Sequence, residues 1–366
     1  MKVAVVGAGI VGASVAHRLS EGGAEVILIE GVEPGSGTTS TSFAWVNANN
    51  KLPREYFELN VAGMREHERL QEEIGGGWLH STGNLIWAAN EEQEALEKRV
   101  ERLRSWSYAA EMLPASTANE KLEPGAIFPD PEIRIAHFPE ESWTDAPALT
   151  KTLVEAARRN GARTLFGDAV RGIEVEGEGV TLQLEDGGAI HADVVVNATG
   201  PKAASVAEMV VRKLPLDAFR GLLVRVAIPG EPLRHLMHTP RINVRPDGPG
   251  YLLLHHDSLD ARLTDDFAGT EDPLCVELLE RARLVLQALE EAEVVEARLG
   301  MRPVPADGYS CVGALSGIPG YYEAVTHSGV TLGPLIGHLL AREILTGEVD
   351  PLISPFRPDR FPSTQT

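Results

Sequence analysis

Cysteine is nearly absent: the 366 residues contain two, Cys275 and Cys311, in no C-x-x-C spacing. That argues against a disulfide framework or a zinc site, so no metal is expected and a reducing, cytoplasmic setting is the default. Basic residues are also few, 33 Lys plus Arg against 53 Asp plus Glu, for a formal charge of −20. Such a surface repels phosphate backbones and anionic lipid heads, which argues against nucleic acid and membranes as partners. No apolar run approaches the ~20 residues needed to cross a bilayer. The first run, Val3-Ala-Val-Val6, is broken by Gly7, too soon for a signal peptide, and reads as a structural strand. Hydrophobic residues nevertheless make up 43% of the chain. That is enough for a globular core, and at roughly 150 residues per domain the length suggests two domains.

The first 30 residues read as strand, glycine turn, helix (Ile10 to Glu21) and strand (Val26 to Ile29), a βαβ unit. Residues 31–50 are too rich in Gly, Ser, Thr and Asn for a long regular element. Acidic amphipathic helices are expected over Tyr56 to Ile74 and Glu91 to Ser105, and a helix from Ala148 to Asn160 ends at Gly161. A strand near Thr164 and alternating strands over Val170 to Val175 and Val180 to Leu184 lead to Asp193-Val-Val-Val-Asn-Ala-Thr-Gly200. That run reads as a third parallel strand delivering a glycine turn. Strands over Leu222 to Val226, Arg241 to Val244 and Tyr251 to His255, with a helix over Pro273 to Ala288, suit a separate antiparallel-sheet domain. A final helix is expected over Leu335 to Leu345, and the Pro-rich last dozen residues read as a loosely held extension.

The strongest local signal is Gly7-Ala8-Gly9-Ile10-Val11-Gly12 with Glu30 at the end of the next strand. Gly7 permits the tight turn, Gly9 lets backbone approach a pyrophosphate, and Gly12 lets helix pack closely on strand. The phosphates then sit on unpaired amides at the helix N-terminus, and Glu30 accepts hydrogen bonds from a ribose. A carboxylate there argues against NADP, leaving FAD and NAD. An NAD dehydrogenase usually completes its nucleotide domain in consecutive units, whereas here the strand before Ala198-Thr-Gly200 arrives about 190 residues after the first.

With these motifs the sequence resembles the FAD-dependent oxidoreductases of the D-amino-acid oxidase type, which include glycine, sarcosine and D-amino-acid oxidases. The resemblance spans nearly the whole chain. It rests on GAGIVG with Glu30, the loop Gly37-Thr-Thr-Ser-Thr-Ser42, DVVVNATG, Gly300-Met-Arg-Pro-Val-Pro-Ala-Asp-Gly308 and His327-Ser-Gly-Val-Thr-Leu-Gly-Pro334. It implies an α/β (α+β overall) fold: a Rossmann-like FAD-binding domain from discontinuous segments, 1–85, 145–212 and 296–366. A mostly antiparallel-sheet substrate domain, 86–144 and 213–295, completes the expected fold.

The cofactor residues then expected are Gly7, Ala8, Gly9, Ile10, Val11, Gly12, Glu30 and Gly31, with Gly37, Thr38, Thr39, Ser40, Phe43, Ala44 and Trp45 from the loop. Val170, Ala198, Thr199, Gly200 and Gly300 follow, then Ser328, Gly329, Val330 and Thr331. The last three open a helix whose free amides suit the flavin pyrimidine edge, where negative charge grows on reduction. Arg302 resembles in position the family's clamp for a substrate carboxylate, which a guanidinium fork fits bidentately. His327, Tyr251 and His255 are further catalytic candidates, and Arg241, Arg245 and His256 weaker ones.

Two departures matter. Some members hold flavin through a cysteine near the position of Gly300 or Met301, and neither cysteine lies there, so non-covalent FAD is expected. Sarcosine-oxidase-like members use a lysine near the flavin for oxygen, and this chain has none after Lys213. The expected function is oxidation of the C–N bond of a small carboxylate-bearing amino acid or secondary amine, with hydride passing to flavin and an imine leaving. Oxygen, giving peroxide, or another acceptor takes the electrons. Oxidation of a 2-hydroxy acid, which needs a base such as a histidine, and a non-catalytic or electron-relaying flavin subunit are the alternatives.

Overall fold

The computed structural model describes residues 1–361 except Glu178 and Pro232. The chain divides into two compact units. One comprises Met1–Leu79, Thr144–Phe219 and the residues from Met301 onward; the other, His80–Trp143 and Arg220–Gly300. The expected cuts lay after residues 85, 144, 212 and 295. The observed divisions after Phe219 and Gly300 fall inside long strands, Leu216–Ala227 and Glu293–Pro305, which run on from one unit into the other.

The first unit is built on a six-stranded sheet. Its strands are β1 (Lys2–Val6), β2 (Glu25–Glu30), β3 (Arg163–Phe166), β4 (Val194–Asn197), β5 (Cys311–Ala314) and β6 (Tyr321–Val325), in spatial order β5-β6-β4-β1-β2-β3. All pairs are parallel except β5 with β6. The run that reads as a third strand does dock beside the first, Val3 opposite Val194 and Val6 opposite Asn197. Val3, Ala4 and Val5 are fully buried, as expected for a central parallel strand covered on both faces.

The longer helices of this unit are α1 (Ile10–Glu21), α2 (Arg54–Ile74), α3 (Ala146–Arg159) and α4 (Gly329–Thr346). The last begins six residues before the expected Leu335. It opens at Gly329, as the resemblance implied, and its glycines let it lie against α1. A Cβ on Gly337 would stand 2.6 Å from the Ser14 carbonyl carbon.

The C-terminal segment is not a loose extension as far as Phe361. Arg212, its side chain fully buried, donates to the carbonyls of Pro358 and Phe361, both at 2.9 Å. Arg357 pairs with Glu343 and Arg360 with Asp307, while Phe356 and Pro358 are buried. The remaining residues of the expected extension lie outside the described ones.

The second unit holds most of an eight-stranded sheet. In spatial order it runs Glu293–Pro305, Leu216–Ala227, Tyr251–His255, Asn243–Pro246, Leu236–His238, Asn84–Ile86, Arg134–Phe138, Glu111–Pro114. Every pair with a defined register is antiparallel except Leu236–His238 with Asn84–Ile86. Alternation gives the sheet two unlike faces. Val224, Val226, Val244, Leu252 and Leu254 join an apolar core with the helix Pro273–Arg283. Between them, Arg225, Arg245, Asn243, Tyr251 and His255 lie on the other face, around the fully buried Leu253. The helix stops five residues short of the expected Ala288 and gives way to a 3-10 turn at Gln287–Leu289. Among the described residues no helix is long and apolar enough to cross a membrane.

Candidate cofactor and substrate site

The turn after β1 is built so that no side chain fits in it. Gly7 has φ +98°, and a Cβ there would stand 2.5 Å from the Ala198 oxygen. One on Gly12 would meet the Gly7 oxygen at 1.8 Å, and one on Gly9 would reach Thr39 Oγ1 at 3.2 Å. The glycine turn and Ala198 are therefore in direct apposition although 190 residues separate them. Gly9 caps α1 in extended conformation with no side-chain cap, so first-turn amides point out of the helix end. Glu30 accepts from the Ala8 amide at 2.9 Å and from the Val32 amide at 3.1 Å. Thr39 Oγ1 accepts from the Ile10 amide at 3.1 Å. A backbone cradle at a helix N-terminus, with an acid beside it and no Lys or Arg in it, fits the pyrophosphate and ribose of a dinucleotide.

The loop after β2 ties this turn to two other regions. Thr38 donates to the carbonyl of Met301, which puts the loop against the residue before Arg302; Arg302 is half-buried. Ser40 donates to the carbonyls of Ser36 and Gly37, so both hydroxyls hold backbone. Ala44 takes φ +57°, its amide held by Ser42 Oγ at 3.0 Å. Thr331 Oγ1 donates to the Trp45 carbonyl at 3.2 Å and accepts from the Asn47 amide at 3.4 Å. The loop and the first turn of α4 are thus joined. Val11 lies there too, its Cγ2 3.8 Å from where a Gly329 Cβ would be. Asn197 orders the other turn, accepting from Thr199 Oγ1 at 2.7 Å and donating to Tyr321 and the Ala203 carbonyl.

Residues 2–343 match the family model described as FAD dependent oxidoreductase. The chain belongs to that family. Among its relatives, an oxidoreductase of Bacillus subtilis described as uncharacterized, YurR, is 27% identical over 97% of both chains. Glycine oxidase of Geobacillus kaustophilus is 27% identical over 97% of this chain and 95% of its own. The crystal structure of a glycine oxidase from Geobacillus kaustophilus superposes with a TM-score of 0.88, at 24% identity and 98% coverage of each chain. The mixed α/β, FAD-enzyme architecture inferred from the sequence is the observed one.

Not every candidate of the family site falls into this arrangement. Gly31, exposed, approaches Ala169, whose Cβ would lie 3.0 Å from a Cβ on it, and Gly300 ends the second unit. Val170 has its side chain in the apolar core of the first unit. His327 is exposed, one residue before the α4 cap Ser328. Tyr251 and His255 belong to the second unit, at opposite ends of one strand, so about 13 Å of strand separates them. The Arg225 guanidinium lies 3.6 Å from the Tyr251 ring centre and pairs with Asp247 at 2.9 Å. Arg245 also pairs with Asp247, at 2.9 Å, and lies 4.3 Å from the Trp143 ring centre. His255 Nε2 is 3.1 Å from Asp260 and 3.5 Å from Asp257. His256 instead uses its Nδ1 to cap the turn at Ser258, and the Arg241 amide bonds Thr239 Oγ1.

Three residues of the first unit escaped the sequence reading. Lys51 Nζ donates to Ser328 Oγ at 3.0 Å, and Tyr56 donates to the same oxygen at 3.1 Å. A lysine therefore does reach the start of α4, from a part of the chain long before Lys213. His67 on α2 bonds the Val330 carbonyl at 2.8 Å, and burial pushes its imidazole down to about 4. Burial raises the Cys275 thiol to about 11 and also raises that of Cys311, which donates to Glu323. Neither cysteine offers a thiolate. His17, Glu21 and Glu73 place ligand-type atoms within 4.8 Å of one another. Arg18 bonds both carboxylates there, at 2.8 and 2.6 Å, making an ion network of the cluster.

Proposed function

We propose that this chain binds FAD non-covalently and oxidises the C–N bond of a small amino acid or secondary amine that carries a carboxylate. The observation carrying the reading is the cradle of Gly7, Gly9 and Gly12 against Ala198, with Glu30 beside it, in a chain of this family. When bound, FAD supplies the two-electron acceptor; the protein supplies position. The amides of α1 hold the pyrophosphate, and Glu30 receives the ribose hydroxyls while remaining tied to Ala8. The loop from Gly37 to Trp45 lines the cofactor with backbone, its hydroxyls spent on fixing its shape. With FAD bound, the first turn of α4 would offer the amides of Gly329, Val330 and Thr331 to the negative charge of a reduced ring, and Lys51 would add positive charge at the same helix end.

Arg302 fixes the substrate carboxylate, so the amine is held with its α-hydrogen toward the acceptor. The amine reacts neutral, so loss of hydride leaves an iminium ion that water hydrolyses, and the oxidation itself requires no general base. The glycine oxidase relative supports an amino-acid or amine substrate. Electrons pass on to oxygen or another acceptor. The buried, protonated thiols support non-covalent attachment.

Arg302→Ala tests the substrate half of this reading. KM for a carboxylate-bearing amine should rise steeply while the protein keeps its FAD; an unchanged KM removes Arg302 from the clamp role. A second reading is oxidation of a 2-hydroxy acid, which would need a histidine to take the hydroxyl proton; the pairing of His255 with Asp260 is the observation that favours it.

A further inference from the structure

A proline inside a helix leaves one carbonyl without its usual donor. In α4 the proline is Pro334, and the carbonyl four residues before it belongs to Val330. Nε2 of His67, from α2, lies 2.8 Å from that oxygen in a buried setting. A carbonyl only accepts, so Nε2 carries the proton. The other ring nitrogen, Nδ1, is buried with no hydrogen-bond partner, which leaves the Nε2 bond as the polar reason for placing a histidine there. Gly63, one turn earlier on α2, permits the approach: a Cβ there would stand 2.7 Å from the Thr331 oxygen. Gly63 and His67, at i and i+4, form one ridge laid on the first turn of α4. That turn is the one Thr331 ties to Trp45 and Asn47.

We infer that His67 is a positioning residue: its imidazole N–H replaces the amide Pro334 lacks and holds the first turn of α4 in the orientation bound flavin requires. The inference rests on the reading that this turn faces FAD. Through it, α2 fixes where the unpaired amides of Gly329, Val330 and Thr331 point, and so how well they offset negative charge on a reduced ring.

Four proteins test this: wild type, His67→Leu, Pro334→Ala and the double variant. Pro334→Ala restores a backbone N–H able to reach Val330, so it should make His67 dispensable. His67→Leu should weaken FAD binding three- to tenfold. It should also make the midpoint potential of the bound flavin more negative by up to about 30 mV, the equivalent of tenfold for a two-electron couple. In the double variant most of both shifts should vanish, and His67→Gln, whose amide also donates, should fall between wild type and His67→Leu. Equal shifts with and without Pro334 would show that His67 only packs, and would overturn the inference. FAD bound at one potential in all four proteins would overturn it too while leaving the proposed function intact. A wild-type protein that takes up no FAD would sink both.

Discussion

Glu30 accepts the Ala8 amide at 2.9 Å, which fastens the end of β2 to the glycine turn after β1. The carboxylate therefore shapes the turn, and the proposed function also gives it the ribose of the cofactor. Hydrogen bonds to charged groups contribute about 1.5–3 kcal/mol. Glu30→Ala should accordingly weaken FAD binding by one to two orders of magnitude. Glu30→Gln, which keeps an accepting oxygen, should lose less. Titration of apoprotein by flavin fluorescence quenching measures both, and equal affinity in all three proteins would dissociate Glu30 from the cofactor.

The contact of α1 with α4 should be intolerant of a single methyl. A Cβ on Gly337 meets Ser14 backbone at 2.6 Å, whereas one on Gly77 meets nothing within 4 Å. Overpacking of this kind costs about 1–3 kcal/mol. Gly337→Ala should lower the melting temperature by several degrees and Gly77→Ala should leave it unchanged. Equal melting temperatures would mean that the helices separate at little cost.

Lys51 sits where a positive charge is unfavourable, at the N-terminal end of α4 beside Ser328. Such a placement costs roughly 0.3–1 kcal/mol. Lys51→Met should therefore raise the melting temperature of the apoprotein slightly while making the bound flavin harder to reduce. A potentiometric titration beside a thermal melt checks the pair of effects, and a variant less stable than wild type with an unshifted potential contradicts it.

Acid should destabilise the fold in two overlapping stages. Burial lowers His67 to about 4 and His238 to about 3, so the unfolded chain protonates near 6.5 while the folded one resists. Stability present above pH 6.5 is thus lost as pH falls toward those folded values. Glu73, held down to about 2 chiefly by its hydrogen bond to Arg18, adds stability present above its usual 4.5 and lost as pH falls from there toward 2. Melting temperatures from pH 8 to 4 should fall, and His67→Gln should flatten the part between 6.5 and 4.

Residues that act with near neighbours were legible before the structure was. Gly7, Gly9, Gly12 and Glu30 belong to one βαβ unit whose turn and spacing are local. Val194 to Asn197 announced themselves as a buried strand by composition alone, and the antiparallel sheet of the second unit by its run of short strands with one helix. Lys51 and His67 were not legible, because Ser328 and Val330 lie more than 260 residues away and no period links them. The opening of α4 at Gly329 was legible from the resemblance, but what holds it was not: α1, Gly63 and His67 supply the packing and the donor from far away in sequence. The C-terminal segment looked loose because its anchor, Arg212, is remote in sequence. Tyr251 and His255 were legible as the two ends of one strand, but their partners Arg225 and Asp260 were not, because they come from other elements.

The most direct measurement is anaerobic mixing of the FAD-loaded protein with D-amino acids, N-methyl amino acids, amines without a carboxylate, and 2-hydroxy acids, followed by the flavin absorbance. Carboxylate-bearing amines should bleach the flavin, and amines without a carboxylate should do so far more slowly. In Arg302→Ala that preference should disappear. Bleaching by 2-hydroxy acids alone, or by none of the four classes, would contradict C–N oxidation by this chain.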